Sequence, residues 1–191
     1  MTSAFEVLAE DHAEVKQMLT DLELGAVRQG TATAEQLTQR KKLAEQLVIE
    51  ASRHEAVEEM YFWPAVREHV PGGDALAGTA LGQEQEGKEV LAKLEKLDAG
   101  QAEFEKLLAE FTRAGREHID YEENHVWPGL RAALTAQQAE ELGGKLEAAK
   151  KTAPTRPHPH TPASPGALKT VGPVAAAADK ARDAMTNRGT H

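Results

Sequence analysis

The chain has no cysteine in its 191 residues. That excludes a disulfide framework, a thiolate zinc site, an iron–sulfur cluster and a cysteine nucleophile. Aromatic residues are scarce too: two Trp, two Tyr and four Phe. The core must then draw mainly on Leu, Val and Ala, and the shortage of β-branched residues disfavours extended sheet. Positive charge is in deficit, with 22 Lys and Arg against 31 Asp and Glu and a formal charge of −9. A nucleic-acid partner needs clustered cations to neutralise phosphates, and an anionic membrane surface needs them as well, so neither partner is expected. No eighteen apolar residues run together, which argues against a membrane span. The opening "MTSAFEVLAEDH" lacks the basic-then-apolar pattern of a signal peptide, so a soluble cytoplasmic protein is expected. No Gly-rich phosphate loop follows a strand pattern, which leaves nucleotide binding without support.

What the chain does have is helix formers: Ala, Leu, Glu, Lys and Gln dominate. Ser3 with Glu6 forms a capping-box pattern that opens a first helix. Phe5, Leu8, His12, Val15, Leu19 and Leu22 then recur at helical spacing on one face, and the helix is expected to end near Gly30. Thr33 with Gln36 opens a second helix whose inward line is Leu43, Leu47, Ala51, His54, Glu58 and Tyr61. Pro64 should kink its last turn, because it removes a backbone donor and crowds the carbonyl of Met60.

"VPGGD" at Val70 to Asp74 is a turn. A third helix is expected from Ala75 to Leu97, with Leu76, Ala80, Glu84, Gly87, Leu91 and Leu94 inward. A fourth runs from about Gln101 to Ala133 along Phe104, Leu108, Phe111, Gly115, His118 and Glu122, with Pro128 repeating the late kink. Thr135 with Gln138 opens a short fifth helix to about Lys150. Four long helices with short connections predict an all-α, antiparallel up-down four-helix bundle over residues 1–151. Six prolines between Thr152 and Pro173 predict a mostly extended tail over 152–191, ending in one modest helix in "VAAAADKARDAM". His158 and His160 in "PHPHTP" are expected to be solvated.

The chain writes one frame twice. "HEAVEEMYFWP" from His54 and "HIDYEENHVWP" from His118 share H-x-x-x-E-E-x-x-x-W-P, and the only two tryptophans hold the same place in each. Residues four apart share a helix face. His54 with Glu58, and His118 with Glu122, therefore each present an imidazole beside a carboxylate on an otherwise apolar line. His12 interrupts the first helix in the same way, and Glu84 the third. A buried carboxylate is costly unless paired. A cation supplies that pairing and gives each imidazole a partner. His and Glu without Cys suit iron, manganese or zinc, and carboxylates bridging inside a helical bundle suit two irons or two manganese ions. Trp63 and Trp127 read as apolar plugs at one end of the bundle, His125 as end packing or support for the site, and His69 as exposed.

These motifs resemble those of the hemerythrin-like, HHE cation-binding family across about residues 4 to 133. "EDHAEV" resembles the first-helix histidine motif, and the two long frames resemble the second- and fourth-helix motifs. The resemblance implies His12, His54, Glu58, His118 and Glu122 as ligands of two non-haem irons, bridged by carboxylate and by oxo or hydroxo groups. It also implies chemistry with dioxygen, hydrogen peroxide or nitric oxide and an external electron donor. The chain departs from the family on the third helix, where a histidine is usual but none occurs between His69 and His118. Glu84 aligns there, with Gln85 or Glu86 as candidates if the register slips. Glu55 and Glu123, beside the frame residues, are second-rank candidates.

Three carboxylates with three imidazoles favour the ferric state, and so favour consuming an oxidant over carrying dioxygen reversibly. The expectations are a peroxide- or dioxygen-reducing oxidoreductase of catalase or peroxidase type acting in oxidative or nitrosative stress, or a sensor or iron-binding module without turnover.

Overall fold

The computed structural model describes residues 2–26, 32–161, 165–186 and 188. Its described residues form helices and no strands. Helix α1 (Ala4–Leu24) starts from Ser3, whose side chain and that of Glu6 cap each other's backbone donors. It ends at Leu24, short of the expected Gly30, which lies outside the described residues. Helix α2 (Ala34–Val57) starts from the matching box of Thr33 and Gln36.

The proline kink takes a specific form. A π-helical turn, Glu58–Phe62, joins α2 to α3 (Trp63–His69), and the Trp63 N–H bonds back five residues to the Glu58 carbonyl. Helix α4 (Gly73–Leu94) and helix α5 (Ala102–Tyr121) follow. A second π turn, Glu122–Val126, then leads to α6 (Trp127–Ala133), again with the tryptophan N–H bonded to the frame glutamate, Glu122. Within an α-helix the ring of Pro64 or Pro128 would strike a carbonyl four residues back. The wider π turn makes room for it, and such turns concentrate at functional sites.

Helix α7 (Ala136–Lys150) is the expected fifth helix, with the expected Thr135/Gln138 capping box. The α3–α4 corner needs both its glycines: Gly72 sits at φ 76°, and a Cβ on Gly73 would fall 2.2 Å from the Val66 carbonyl oxygen.

The tail is more ordered than expected. Helix α8 runs Pro165–Thr186, well before Val174, and packs against the π turn Glu58–Phe62. Ala153 and Thr155 are buried. The Thr155 N–H donates to Asp179, its hydroxyl donates to Asp183, and Arg156 pairs with Glu95 and Asp183. His158 is half-buried against Asp179 at 2.9 Å, while His160 is exposed as expected. Composition undervalued this segment. A proline brings no backbone donor to satisfy, and Asp179 and Asp183, four apart on one face of α8, supply the hooks.

The apolar core is divided. One cluster holds Phe5, Leu8, Phe62, Trp63, Trp127 and Leu130. The other holds Val15, Leu19, Leu47, Leu91, Phe104 and Phe111. On α1 the break falls between Leu8 and Val15, at His12.

Candidate metal centre

The gap between the two clusters is filled by histidines and glutamates from all four long helical segments. His12 Nε2 lies 3.0 Å from Glu122 Oε2, His54 Nε2 3.1 Å from Glu58 Oε2, and His118 Nε2 3.1 Å from Glu122 Oε1. The side chains of Glu58 and Glu122 are fully buried and that of His12 nearly so. These residues make two groups of four: His12, His54, Glu58 and Glu122; and Glu58, Glu84, His118 and Glu122. In each group the donor atoms lie within 4.8 Å of one another. Donors around one ion at metal–ligand distances of about 2.1 Å would stand ~3–4 Å apart. The two groups share Glu58 and Glu122, so these two carboxylates can span two neighbouring ions.

The fit to cations rests on what these atoms lack. Nε2 of all three histidines, both oxygens of Glu58 and of Glu122, and Oε2 of Glu84 are buried and make no well-directed hydrogen bond; the imidazoles and carboxylates only face one another as ion pairs. Such a concentration of poorly satisfied polar atoms is costly in a protein interior, and cations held in the two groups would satisfy them. The far sides of the same groups are occupied. His12 Nδ1 contacts Glu123 Oε1 at 2.9 Å, His54 Nδ1 faces Asp11 Oδ2 at 3.4 Å, and His118 Nδ1 faces Gln83 Oε1 at 3.0 Å. An acceptor at each Nδ1 places the proton there and turns the Nε2 lone pair inward. The Trp63 indole N–H donates to Glu84 Oε1, and the Trp127 ring stacks on His12 with centroids 5.0 Å apart.

Without metal, protons must balance the acids. Burial, then the Glu122 charge, push the Glu58 pKa up; burial, then Glu58 and Glu59, hold Glu84 well above the usual carboxylate range. Burial also works against the Glu122 carboxylate, but the His118 and His12 imidazoles outweigh it and hold its pKa low. Burial disfavours the His54 cation, yet Glu58 and Asp11 raise its pKa well above the ordinary value.

The structure brings His12, His54, Glu58, Glu84, His118 and Glu122 together. Glu84, not Gln85 or Glu86, faces the centre: Gln85 bonds Glu89 and the Pro159 carbonyl, and Glu86 is exposed. Glu55 belongs to neither group of four. Glu123 supports His12 from outside. His125 is exposed and stacks on Tyr121, away from the centre. His69 is half-buried next to Glu68. The tryptophans are more than plugs, because each touches a residue of the centre. Sequence reasoning missed Asp11, Gln83 and the indole donor. The first two directly precede His12 and Glu84, and adjacency to a candidate ligand was the available signal.

A chamber of about 40 Å³ opens beside the centre, lined by His12, His54, Glu84 and His118 and by apolar Val15 and Phe111. A water needs about 10–15 Å³ of such space, so the chamber suits a molecule of two or three heavy atoms.

The hemerythrin HHE cation-binding domain model matches residues 3–130. The chain belongs to the hemerythrin HHE cation-binding family. An uncharacterized hemerythrin-like protein of Schizosaccharomyces pombe is 33% identical over 141 residues, spanning 73% of this chain and 70% of that protein. The crystal structure of a hemerythrin HHE cation-binding domain-containing protein from Mycobacterium kansasii superposes with a TM-score of 0.64 at 23% identity, covering 79% of this chain and 86% of that one. That likeness establishes a shared hemerythrin-like fold. Family membership and the His/Glu cluster agree on a domain able to hold cations. No helix among the described residues is long and apolar enough to cross a membrane.

Proposed function

We propose that this HHE domain holds two non-haem iron ions and uses them on a small oxidant: dioxygen, hydrogen peroxide or nitric oxide. One observation carries the reading. Two four-donor groups share Glu58 and Glu122, and the inward donor atoms of both are buried, face one another and make no well-directed hydrogen bond. His12 and His54 would serve one ion, Glu84 and His118 the other, and Glu58 and Glu122 both. Bound iron would supply Lewis acidity and a reversible electron. The chain's own part is to hold the imidazoles by their Nδ1 atoms, to steady Glu84 through Trp63, and to present a chamber too small for a bulky substrate. Three carboxylates in the donor set stabilise the oxidised ions, which favours reduction of the oxidant by electrons from an external donor over reversible carriage.

Elemental analysis of protein purified without a His tag, with optical spectra before and after reduction, tests the reading. Two irons per chain and a near-ultraviolet absorption lost on reduction are expected, followed by peroxide turnover in the loaded protein. Protein that takes up no iron under reducing, anaerobic conditions would overturn it.

A sensor reading without turnover draws on the packing of α8 against the π turn that begins with Glu58. It predicts that proteolysis of the segment after Lys151 changes between the oxidised and reduced states.

A further inference from the structure

Two of the three inward imidazoles share a backing that the third lacks. Behind His12 stands Glu123, gripped by Lys16 Nζ at 2.7 and 2.9 Å. Behind His54 stands Asp11, whose other carboxylate oxygen accepts from Lys150 Nζ. Behind His118, among the described residues, stands the neutral Gln83 amide oxygen. The His54 chain is the more buried, with the Asp11 side chain 6% exposed, and its lysine comes from farther away.

Lys150 is the last residue of α7, beyond the residues 3–130 that match the family. Helix α7 reaches α1 because Gly143 has no side chain: a Cβ there would stand 2.2 Å from the Thr2 carbonyl oxygen. Ala139, Leu142 and Leu146 bury its inner face in the core cluster that contains Leu8. Seated so, α7 delivers an ammonium group to the acid directly before His12 in the chain.

We propose that Asp11 and Lys150 are positioning residues for the metal centre: the α7 ammonium fixes the Asp11 carboxylate, and that carboxylate aims His54 Nε2 into the cage. The proposal rests on the reading that the cage holds metal. The His54–Asp11 separation of 3.4 Å is long for a hydrogen bond to a charged group, so the aim of the ring depends on where Asp11 is held. Without Lys150, one oxygen of a buried carboxylate would be left without a partner. The carboxylate would then be free to turn toward solvent, and His54 would lose the anion that strengthens its donation. Partners outside the ligand set typically change metal affinity about 10- to 100-fold. The effect should fall on the ion served by His12 and His54 and spare the ion served by His118.

The test loads wild-type, Lys150→Met, Lys150→Arg and Lys145→Met proteins with Co²⁺, then follows release to a chelator and the visible absorption of bound cobalt. For Lys150→Met, one of two ions should leave about 10-fold faster or more, with a shifted absorption band. Lys150→Arg should restore both, and Lys145→Met, on the same helix, should leave both unchanged. A second arm needs no metal. Nuclear magnetic resonance of the metal-free chain should show a His54 Nδ1–H protected from exchange in wild type and Lys150→Arg and unprotected in Lys150→Met.

Wild-type release kinetics and spectrum in Lys150→Met, or equal protection of the His54 proton, would overturn the proposal. Wild-type protein that binds no Co²⁺ would instead count against the metal reading, while the proton measurement would still decide whether Lys150 governs His54.

Discussion

Replacing Glu55 by Gln in the metal-free protein isolates the cost of burying a charge beside the centre. Glu55 is 6% exposed, and its Oε2 meets no donor. Burial raises its pKa from 4.5 to about 7; Lys88 pulls the other way and the Glu59 charge adds to the rise. A carboxyl group with a higher pKa folded than unfolded holds its proton more tightly in the fold. Its contribution to stability is full below pH 4.5 and is lost as the pH rises to about 7. The shift, 7 − 4.5 = 2.5 units, corresponds to about 3 kcal/mol at ~1.36 kcal/mol per unit. Gln has no proton to lose. It also forgoes attraction to Lys88, but that ammonium keeps its hydrogen bond to Glu59.

The expectation is that the stability of Glu55→Gln relative to wild type improves by about 3 kcal/mol between roughly pH 4 and pH 8. Urea denaturation of chelator-treated protein across that range measures it. A relative stability that stays flat with pH would refute the reasoning, because Glu55 would then titrate alike in the folded and unfolded chains.

His54→Ala and Glu122→Ala should each abolish iron uptake in elemental analysis, and each should also destabilise the metal-free fold, because His54 pairs with Glu58 and Asp11 and Glu122 with His12 and His118; a variant that retains two irons would show the cage to be wrongly drawn. Gly115→Leu should leave iron content intact and slow oxidation by peroxide in stopped-flow mixing. A Cβ there has room, with Leu19 and Phe111 side-chain atoms 3.8 Å away, but the rest of the side chain would enter the chamber. Gly143→Ala should lower stability by about 1–3 kcal/mol in thermal denaturation, because its Cβ would strike the Thr2 backbone; an unchanged melting temperature would mean that α7 is seated differently.

Much of the bundle was legible because helix periodicity and capping are local. Ser3/Glu6, Thr33/Gln36 and Thr135/Gln138 each open a helix as their spacing predicts. The inward placement of His54, Glu58, His118 and Glu122 was legible for the same reason, since four-residue spacing fixes a common face. Glu84 could be placed only to within a residue or two by alignment, and the packing of α4 against α5 decided it. The π turns were not foreseen. The prolines pointed to a disturbance, but whether a helix answers with a kink or an inserted residue depends on the packing around it. Lys150 and Asp11 are 139 residues apart, and nothing in local pattern joins them. The tail was misjudged because proline content describes a free chain, whereas the acids of α8 that tether it become visible only once α8 is in place.

The divided core bears on how the molecule comes apart. An ordinary bundle is most cohesive at mid-height and frays from its ends. Here the greasy matter lies toward the two ends, and the waist between them is a belt of buried imidazoles and carboxyl groups. Stripped of cations, the protein should therefore loosen first at its equator, so amide exchange around His54 and His118 would outpace exchange near Leu19 and Leu130. Loading would reverse that order, turning the weakest belt of the rod into its clasp.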